Sequence, residues 1–266
     1  MLTLLCLVTV ASCVLCISLF YGLCDLLGRT ACSYVTSKQI ANYCVSGVQA
    51  VAAFLIGCII LRNTYQDVLF AKHWWADVYP WIAMGYGIYD IGCMLHVYRL
   101  KYPQNTVVQF FYARMSVLVH HLWLMIFCFP IAIWFRNGKG DFFIGCFHMV
   151  EFSSPFILLR ATLSELDKKK STLYWVNGIL MIVAHLFSRV LIFPFMFWSY
   201  ANYRKEPFWR TPFLLPSICL YSSGFLCSLQ LYWFFMMLYG AKRIIWDRDY
   251  ANTDVNYGAI KSRKTE

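Results

Sequence analysis

Seven long apolar stretches dominate the sequence, and each is long enough to cross a bilayer as a helix, which takes about 20 residues. They cover residues 2–24, 40–61, 78–98, 115–135, 141–159, 172–200 and 211–239. Of the 266 residues, 60% are hydrophobic and only 14% are charged, whereas a soluble domain carries about 25% charged residues. The sequence therefore predicts an all-α, polytopic membrane protein with seven transmembrane helices, and it excludes a soluble enzyme, a disordered protein and a nucleic-acid-binding domain.

The first stretch, residues 2–24, is open to two interpretations. A cleaved signal peptide would explain its apolar character, but it has no charged segment before it and is long for the apolar part of such a peptide. We therefore expect a retained helix. The last two stretches are long and contain Pro194 and Pro216, where we expect tilt or a kink.

The twelve cysteines do not form the pattern of a disulfide framework. Eleven of them lie in apolar stretches, where a thiol behaves as a small hydrophobic group. Cys13 and Cys16 have the spacing of a redox or metal pair, but no second pair and no nearby histidine completes such a site.

The basic residues predict the orientation in the membrane. We define face A as the side of the loops after the first, third and fifth stretches and of the C-terminal tail, and face B as the opposite side. Face A carries Arg29, Lys38, Arg99, Lys101, Arg114, Arg160, Lys168, Lys169, Lys170, Lys242, Arg243, Arg248, Lys261, Arg263 and Lys264. Face B carries Arg62, Lys72, Arg136, Lys139, Arg204, Lys205 and Arg210. Because cytosolic loops are enriched in Lys and Arg, face A is predicted to be cytosolic and the N-terminus lumenal or external.

The polar C-terminal tail, residues 241–266, is predicted to be flexible and cytosolic. The basic pair Arg263-Lys264 near its end resembles a dibasic endoplasmic-reticulum retrieval signal, which is read by a receptor. We therefore expect a multi-pass protein of the endoplasmic reticulum membrane, with the Golgi or the plasma membrane as alternatives.

Polar side chains inside apolar helices are the candidates for function, because each is costly in lipid unless it faces the interior of the bundle. They are Gln49, Asp90, His120, His121, Asp141, His148, Glu151, Asn177, His185, Arg189 and Gln230.

At a rise of 1.5 Å per residue, the two adjacent histidines lie about 9 Å from face A, and Asp90 and Glu151 about 13 Å. The amides of Gln49, Asn177 and Gln230 fall at about 7–15 Å. Asp141, His148 and Glu151 share one helix face. These positions predict a polar pocket about a third of the way into the bilayer that opens to the cytosol; Arg189, about 25 Å from face A, is expected to be structural.

A neutral imidazole beside a carboxylate is a general base or nucleophile that suits acyl transfer to a hydroxyl or amine. Three alternatives stay open. A metal site would need three or four ligands, and His120, His121, His148, Glu151 and Asp90 supply enough. A proton relay uses similar groups, and polar residues that only tie helices together would also be buried. Taken alone, His148 and His185 are typical packing residues.

Several short motifs together resemble one family. They are the pair His120-His121, the run Gly-Lys-Gly-Asp-Phe-Phe at 138–143, Glu-Phe-Ser-Ser-Pro-Phe at 151–156, Val-Asn-Gly at 176–178 and Ser-Arg-Val-Leu-Ile-Phe-Pro at 188–194. Over residues 40–239, approximately, the chain resembles the TLC-domain proteins, and in particular their small ceramide-synthase-like branch. The resemblance implies a six-helix core with one extra N-terminal helix, and thus an N-terminal helix and loop at 1–39, a TLC domain at 40–240 and a tail at 241–266.

In ceramide synthases, the histidine pair and acidic residues of the following helix are held to transfer an acyl group from acyl-CoA to the amine of a sphingoid base. The resemblance therefore implies an acyltransferase of ceramide biosynthesis, with acyl-CoA as co-substrate and a sphingoid base or other lipid as acceptor. We expect no metal, because adjacent histidines are not a usual ligand spacing, and no further cofactor. The expected catalytic residues are His120, His121, Glu151, which stands where those enzymes have an aspartate, and Asp90. The expected substrate-binding residues are Asp141, His148, Asn177, Gln49 and Gln230.

Two other functions are considered. A non-catalytic lipid-binding regulator of membrane lipid composition would use the same cavity, and some small TLC-domain members are described in this way. A seven-helix receptor shares the orientation, but it is disfavoured because the charged residues gather in the cytosolic half and the external loops have no cysteine pair.

Overall fold

All regular secondary structure in the described part of the chain is helical. A computed structural model describes residues 2–29 and 32–262, and the side chains among them as far as residue 243. The α-helices are α1 (Leu2–Gly28), α2 (Tyr34–Thr64), α3 (Trp75–Lys101), α4 (Val107–Ala113), α5 (Met115–Trp123), α6 (Asp141–Met149), α7 (Ser154–Glu165), α8 (Thr172–His185), α9 (Ile192–Arg204), α10 (Thr211–Leu214) and α11 (Ser217–Ser262). The pair Arg263-Lys264, predicted as a retrieval signal, lies outside the described residues.

Short turns of other helix types join several of these helices end to end. Two π-helical segments, Leu124–Cys128 and Ile131–Phe135, prolong α5. A 3₁₀ turn at Val150–Ser153 joins α6 to α7, and a π-helical segment at Leu186–Val190 lies between α8 and α9. Such irregular turns are frequent at functional sites, and the last two contain Glu151 and Arg189.

Six of the resulting helical segments are long and apolar enough to cross a membrane. They are Leu2–Gly28, Tyr34–Thr64, Met115–Phe135, Asp141–Glu165, Thr172–Arg204 and Ser217–Arg243. The predicted all-α membrane class is confirmed, but the count of seven transmembrane helices is not. The difference is α3, which has 27 residues but whose tyrosines, histidine and Asp90 lower its hydropathy.

The helix α3 nevertheless packs against both α1 and α2. Thr9 and Ser12 of α1 donate hydrogen bonds to the carbonyl oxygens of Trp81 (3.1 Å) and Ile82 (2.8 Å). Side-chain hydroxyls that bond across helices are a usual means of association in lipid. Two carbonyl oxygens of α3 thus have partners on α1.

The two prolines of the last apolar stretches interrupt the chain in different ways. Pro216 immediately precedes α11, and Leu215 before it is extended, so the last long helix begins at Ser217 rather than at residue 211. Pro194 lies in the first turn of α9, where its missing N–H would be unpaired in any helix.

The long helices run alternately in opposite directions. In α2, Asn42 meets Asp90 of α3 (3.4 Å), whereas Gln49, two turns later, accepts a hydrogen bond from Tyr79 (3.3 Å), earlier in α3. The same reversal relates α2 to the α6–α7 segment, which it meets closely at Gly57. Polar side chains of helices distant in sequence are thereby brought to the interior of one bundle.

Candidate functional site

The buried carboxylate of Asp90 is the meeting point of three helices. Its Oδ2 lies 3.1 Å from Nε2 of His121 on α5. Its Oδ1 accepts from Asn42 Nδ2 and Ser46 Oγ of α2, each at 3.4 Å. Asn42 is in turn oriented by the Tyr89 hydroxyl, which donates to its Oδ1 at 2.9 Å. These partners offset the cost of holding a carboxylate within the bundle.

The neighbouring imidazole of His120 has a different environment, because successive helical residues point about 100° apart. Its ring meets the indole of Trp233 on α11 edge-on, with the centroids 5.3 Å apart. Its Nδ1 is buried and has no hydrogen-bond partner among the described side chains. Of the two histidines, His121 is the one that has a carboxylate to fix its ring.

The carboxylate of Glu151 belongs to a second polar cluster. Ser154 donates to its Oε2 at 2.5 Å, and Arg189 Nη2 lies 3.5 Å from the same oxygen. Arg189 also donates to Ser154 (2.6 Å), to Ser153 (2.7 Å) and to Gln230 Oε1 (3.3 Å). Glu151 therefore pairs with an arginine, and among the described residues no hydrogen bond or ion pair joins it to either histidine of the pair.

This cluster corrects the depth predicted for Glu151. The predicted depth of Glu151 assumes a helix end at residue 159, but α7 continues to Glu165. Counted from that end, Glu151 lies about 21 Å deep, close to the 25 Å of Arg189. The two side chains meet because the helix is longer than its apolar stretch.

One cavity collects most of the predicted site residues. Its volume is about 1170 Å³, and His120, His121, Asp90, Glu151, His148, Gln49 and Gln230 all line it, as do Arg189 and Trp233. The lining reaches from Lys101 and Arg114 at face A to Arg136 and Lys139 at face B. The cavity is therefore longer than the pocket near face A that the sequence predicts.

Two of the predicted substrate-binding residues do not line this cavity. Asp141 is fully buried at the start of α6, where it accepts from the backbone N–H of His73 (2.7 Å) and forms an ion pair with Arg136. Asn177 donates to the carbonyl oxygen of Phe156 at 2.8 Å and so joins α8 to α7. Both side chains hold elements of the bundle together.

The contacts of His148, Gln49 and His185 do not form a catalytic arrangement. His148 packs edge-on against Tyr79, with the ring centroids 4.8 Å apart, and its buried Nε2 has no partner among the described residues. Gln49 uses its carbonyl to accept from Tyr79. His185 bonds through Nε2 to the Gln230 carbonyl at 3.1 Å.

Sequence reasoning did not identify Asn42, Ser46, Ser154 and Trp233 as parts of the site. Asn42 and Ser46 lie four residues apart on α2, and this spacing on one helix face was the available signal. Ser154 belongs to the run 151–156, one of the motifs that resemble TLC-domain proteins, and this motif was the available signal. The position of Trp233 carries no such signal, because an aromatic residue in an apolar helix is ordinary.

The side chains that were candidate metal ligands, His120, His121, His148, Glu151 and Asp90, do not form a metal site. Among the side chains that the structure describes, which end at residue 243, no group of three or more His, Cys, Asp or Glu is arranged to hold a metal ion.

Comparison with known proteins agrees with the motifs of the sequence. No solved structure matches the chain. The family model for the TLC domain of the TRAM, LAG1 and CLN8 proteins matches residues 39–239, which is well over half of the chain. This match confirms the resemblance that the sequence motifs indicate. The chain therefore belongs to the TLC-domain family, whose members are membrane proteins with lipid-related functions.

Proposed function

We propose that this protein is a membrane acyltransferase that transfers a fatty acyl group from acyl-CoA to the amine of a sphingoid base, forming a ceramide. The observation that carries the proposal is the pairing of His121 with Asp90, at 3.1 Å, in the wall of a cavity of about 1170 Å³. A histidine oriented by a carboxylate is the arrangement that acyl-transfer enzymes use to activate a nucleophile.

In the proposed reaction, Asp90 holds the Nε2 proton of His121 and leaves Nδ1 free to act as a base. Nδ1 takes a proton from the sphingoid-base amine while the nitrogen of that amine attacks the thioester carbonyl carbon. A C–N bond forms, the C–S bond breaks, and the proton on His121 passes to the departing CoA sulfur. General-base catalysis of this kind contributes about 10²–10⁴-fold to the rate.

The shape of the cavity supports a lipid as substrate. Small-molecule pockets usually have volumes of about 300–1000 Å³, and this cavity is larger. Apolar side chains such as Met181, Leu226 and Met237 form part of its lining, which suits an acyl chain. Lys101 and Arg114 line its end at face A, where they suit the phosphates of CoA.

The test is ceramide formation from acyl-CoA and sphinganine by membranes that contain equal amounts of each variant. We expect His121→Ala and Asp90→Asn to abolish most of the activity. The control is His96→Ala, since His96 lies on the same helix as Asp90 but is exposed and outside the cavity lining. Full activity of His121→Ala would refute the proposal.

A second function is a lipid-binding regulator of membrane lipid composition that has no turnover. The observation that favours it is the pairing of Glu151 with Arg189. Glu151 stands where ceramide synthases have an aspartate, and because it pairs with an arginine it does not orient a histidine. This function predicts that cells without the protein show a broad phospholipid shift, whereas the acyltransferase predicts a change confined to ceramides. Lipid profiles of the two cell lines distinguish them.

We further propose that the protein resides in the endoplasmic reticulum membrane, with the N-terminus lumenal and face A cytosolic. The excess of Lys and Arg on face A supports this orientation. Insertion of a glycosylation site next to Pro207, on face B, is expected to yield glycosylated protein, and insertion next to Gln104, on face A, is not. The second insertion also tests whether α3 crosses the membrane, and the reverse result at both sites would overturn the orientation.

A further inference from the structure

The carboxylate of Glu151 has one oxygen that is occupied and one that is free. Oε2 accepts from Ser154 and pairs with Arg189. Among the side chains that the structure describes, none donates a hydrogen bond to Oε1. The Glu151 side chain is 32% exposed, in a residue that lines the cavity. Oε1 is therefore an acceptor that a cavity ligand can reach.

Arg189 holds this carboxylate in a fixed position. Its guanidinium is itself bound on three sides, by Ser153, Ser154 and Gln230, at 2.6–3.3 Å. The side chain is buried, with only 8% of it exposed, so it does not compete with a ligand for the cavity. Glu151 cannot turn away without leaving Arg189 as an unpaired buried charge, which costs several kcal/mol.

The charge of this cluster selects the kind of ligand. Arg189 and Glu151 together carry no net charge, so the pair does not favour a permanent cation strongly. What Oε1 offers is a hydrogen-bond acceptor for an N–H or O–H group. An amine held there can lose a proton and still keep its contact, as a nucleophilic amine must.

The cluster adjoins the histidine pair through α11. Arg189 contacts Gln230, and His120 contacts Trp233. Gln230 and Trp233 are three residues apart on one helix, so they lie on the same face, about 5–6 Å from each other. The free oxygen of Glu151 and the imidazoles therefore line the same cavity and are linked through neighbouring residues of α11.

We propose that Glu151 Oε1 is the subsite for the acceptor's amine, and that Arg189 and Ser154 are positioning residues that hold this oxygen in the cavity. The ligand is a single-chain lipid whose headgroup combines an amine with hydroxyls. This inference rests on the proposed acyltransferase reaction and assigns Glu151 to acceptor recognition rather than to the orientation of an imidazole. No bond is made or broken at Glu151, since the amine proton passes to His121.

The experiment measures binding and kinetics separately, with purified full-length protein in lipid nanodiscs. The binding probes are sphinganine and octadecane-1,3-diol, which lacks the amine. Glu151→Gln keeps the shape of the side chain but removes its charge, and Ser154→Ala removes one hydrogen bond to Oε2. The matched control is Glu206→Gln, because Glu206 pairs with an arginine outside the cavity lining, Arg210 at 3.3 Å.

We expect Glu151→Gln to weaken sphinganine binding and to raise its KM by at least tenfold, with the KM of acyl-CoA changed less than twofold. Binding of the diol should change less than threefold. Ser154→Ala should move the same constants in the same direction by a smaller factor. Among Arg189 variants, Arg189→Lys should recover part of the sphinganine binding lost in Arg189→Gln at matched thermal stability, which a purely structural role would not produce.

The outcomes separate this inference from the proposed function. If Glu151→Gln binds sphinganine as the wild type does, or raises both KM values equally, the subsite is wrong even if the enzyme turns over. If the wild-type protein binds sphinganine through Glu151 but forms no ceramide, the subsite stands and the acyltransferase proposal fails. Absence of sphinganine binding by the wild type also overturns the subsite.

Discussion

The ring of His120 meets the indole of Trp233 edge-on at 74°, whereas the adjacent His121 faces the carboxylate of Asp90. Two consecutive residues of one helix therefore have unlike surroundings, one aromatic and one anionic. This asymmetry predicts that the two histidines contribute unequally to the reaction.

We expect His121→Asn to lower ceramide turnover by about 10²–10⁴-fold, the usual contribution of a general base. His120→Asn removes no carboxylate-oriented base, and we expect a loss of about tenfold, or about 1.4 kcal/mol. The measurement is kcat at saturating acyl-CoA and sphinganine. Equal losses in the two variants would show that the pairing with Asp90 does not decide the role of His121.

The contacts of Asn42 predict an effect on turnover at a distance from the reacting atoms. Asn42→Ala removes the amide that donates to Asp90 Oδ1, and a hydrogen bond to a charged group contributes about 1.5–3 kcal/mol. We expect kcat to fall about tenfold or more. Asn63→Ala is the control, because Asn63 lies on the same helix but is exposed and outside the cavity lining, and it should keep kcat within about twofold of the wild type. An Asn42→Ala enzyme as active as the control would contradict the prediction.

The close approach of α2 and α6 predicts a large stability effect from one methyl group. A Cβ at Gly57 would lie 2.9 Å from the carbonyl oxygen of Gly145, an atom that cannot move without its helix. We expect Gly57→Ala to reduce the free energy of unfolding by about 1–3 kcal/mol, as overpacking does, measured by thermal or denaturant unfolding in detergent. Gly224→Ala is the control, since nothing lies within 4 Å of a Cβ there; an equal loss in both variants would argue against close packing at Gly57.

The position of Asp141 predicts a structural effect rather than a kinetic one. Its carboxylate accepts from the His73 backbone and pairs with Arg136, and it does not line the cavity. Asp141→Asn should lower the free energy of unfolding by about 1–3 kcal/mol, because buried partners of a charge are left unsatisfied. The KM values for acyl-CoA and sphinganine should stay unchanged. A raised KM with normal stability would restore the substrate-binding role expected from the sequence.

The sequence predicts the helices well because their signal is local. The predicted stretch at 40–61 lies within α2 (Tyr34–Thr64), and the predicted stretch at 78–98 lies within α3 (Trp75–Lys101). In lipid, the backbone groups of a helix bond within the helix itself, so a run of apolar residues is enough to reveal it.

Depth and pairing are predicted less well. Counting from the end of an apolar stretch separated Glu151 from Arg189, because the more polar segment at 160–165 continues α7 beyond the apolar run. Periodicity also placed Asp141 and Glu151 on one face, but a 3₁₀ turn at Val150–Ser153 intervenes before the next helix. A turn of this kind changes the direction of side chains and is not visible in hydropathy.

The sequence by itself determined that this is a helical membrane protein of the TLC-domain family and that imidazoles and carboxylates lie within its apolar helices. Only the tertiary structure decided that Asp90 meets His121 and that Glu151 meets Arg189. The physical reason is that hydrophobicity sets where a helix forms, whereas the rotation and register of helices against each other depend on close contacts such as that between Gly57 and Gly145. Those contacts join residues far apart in the chain, and no local pattern records them.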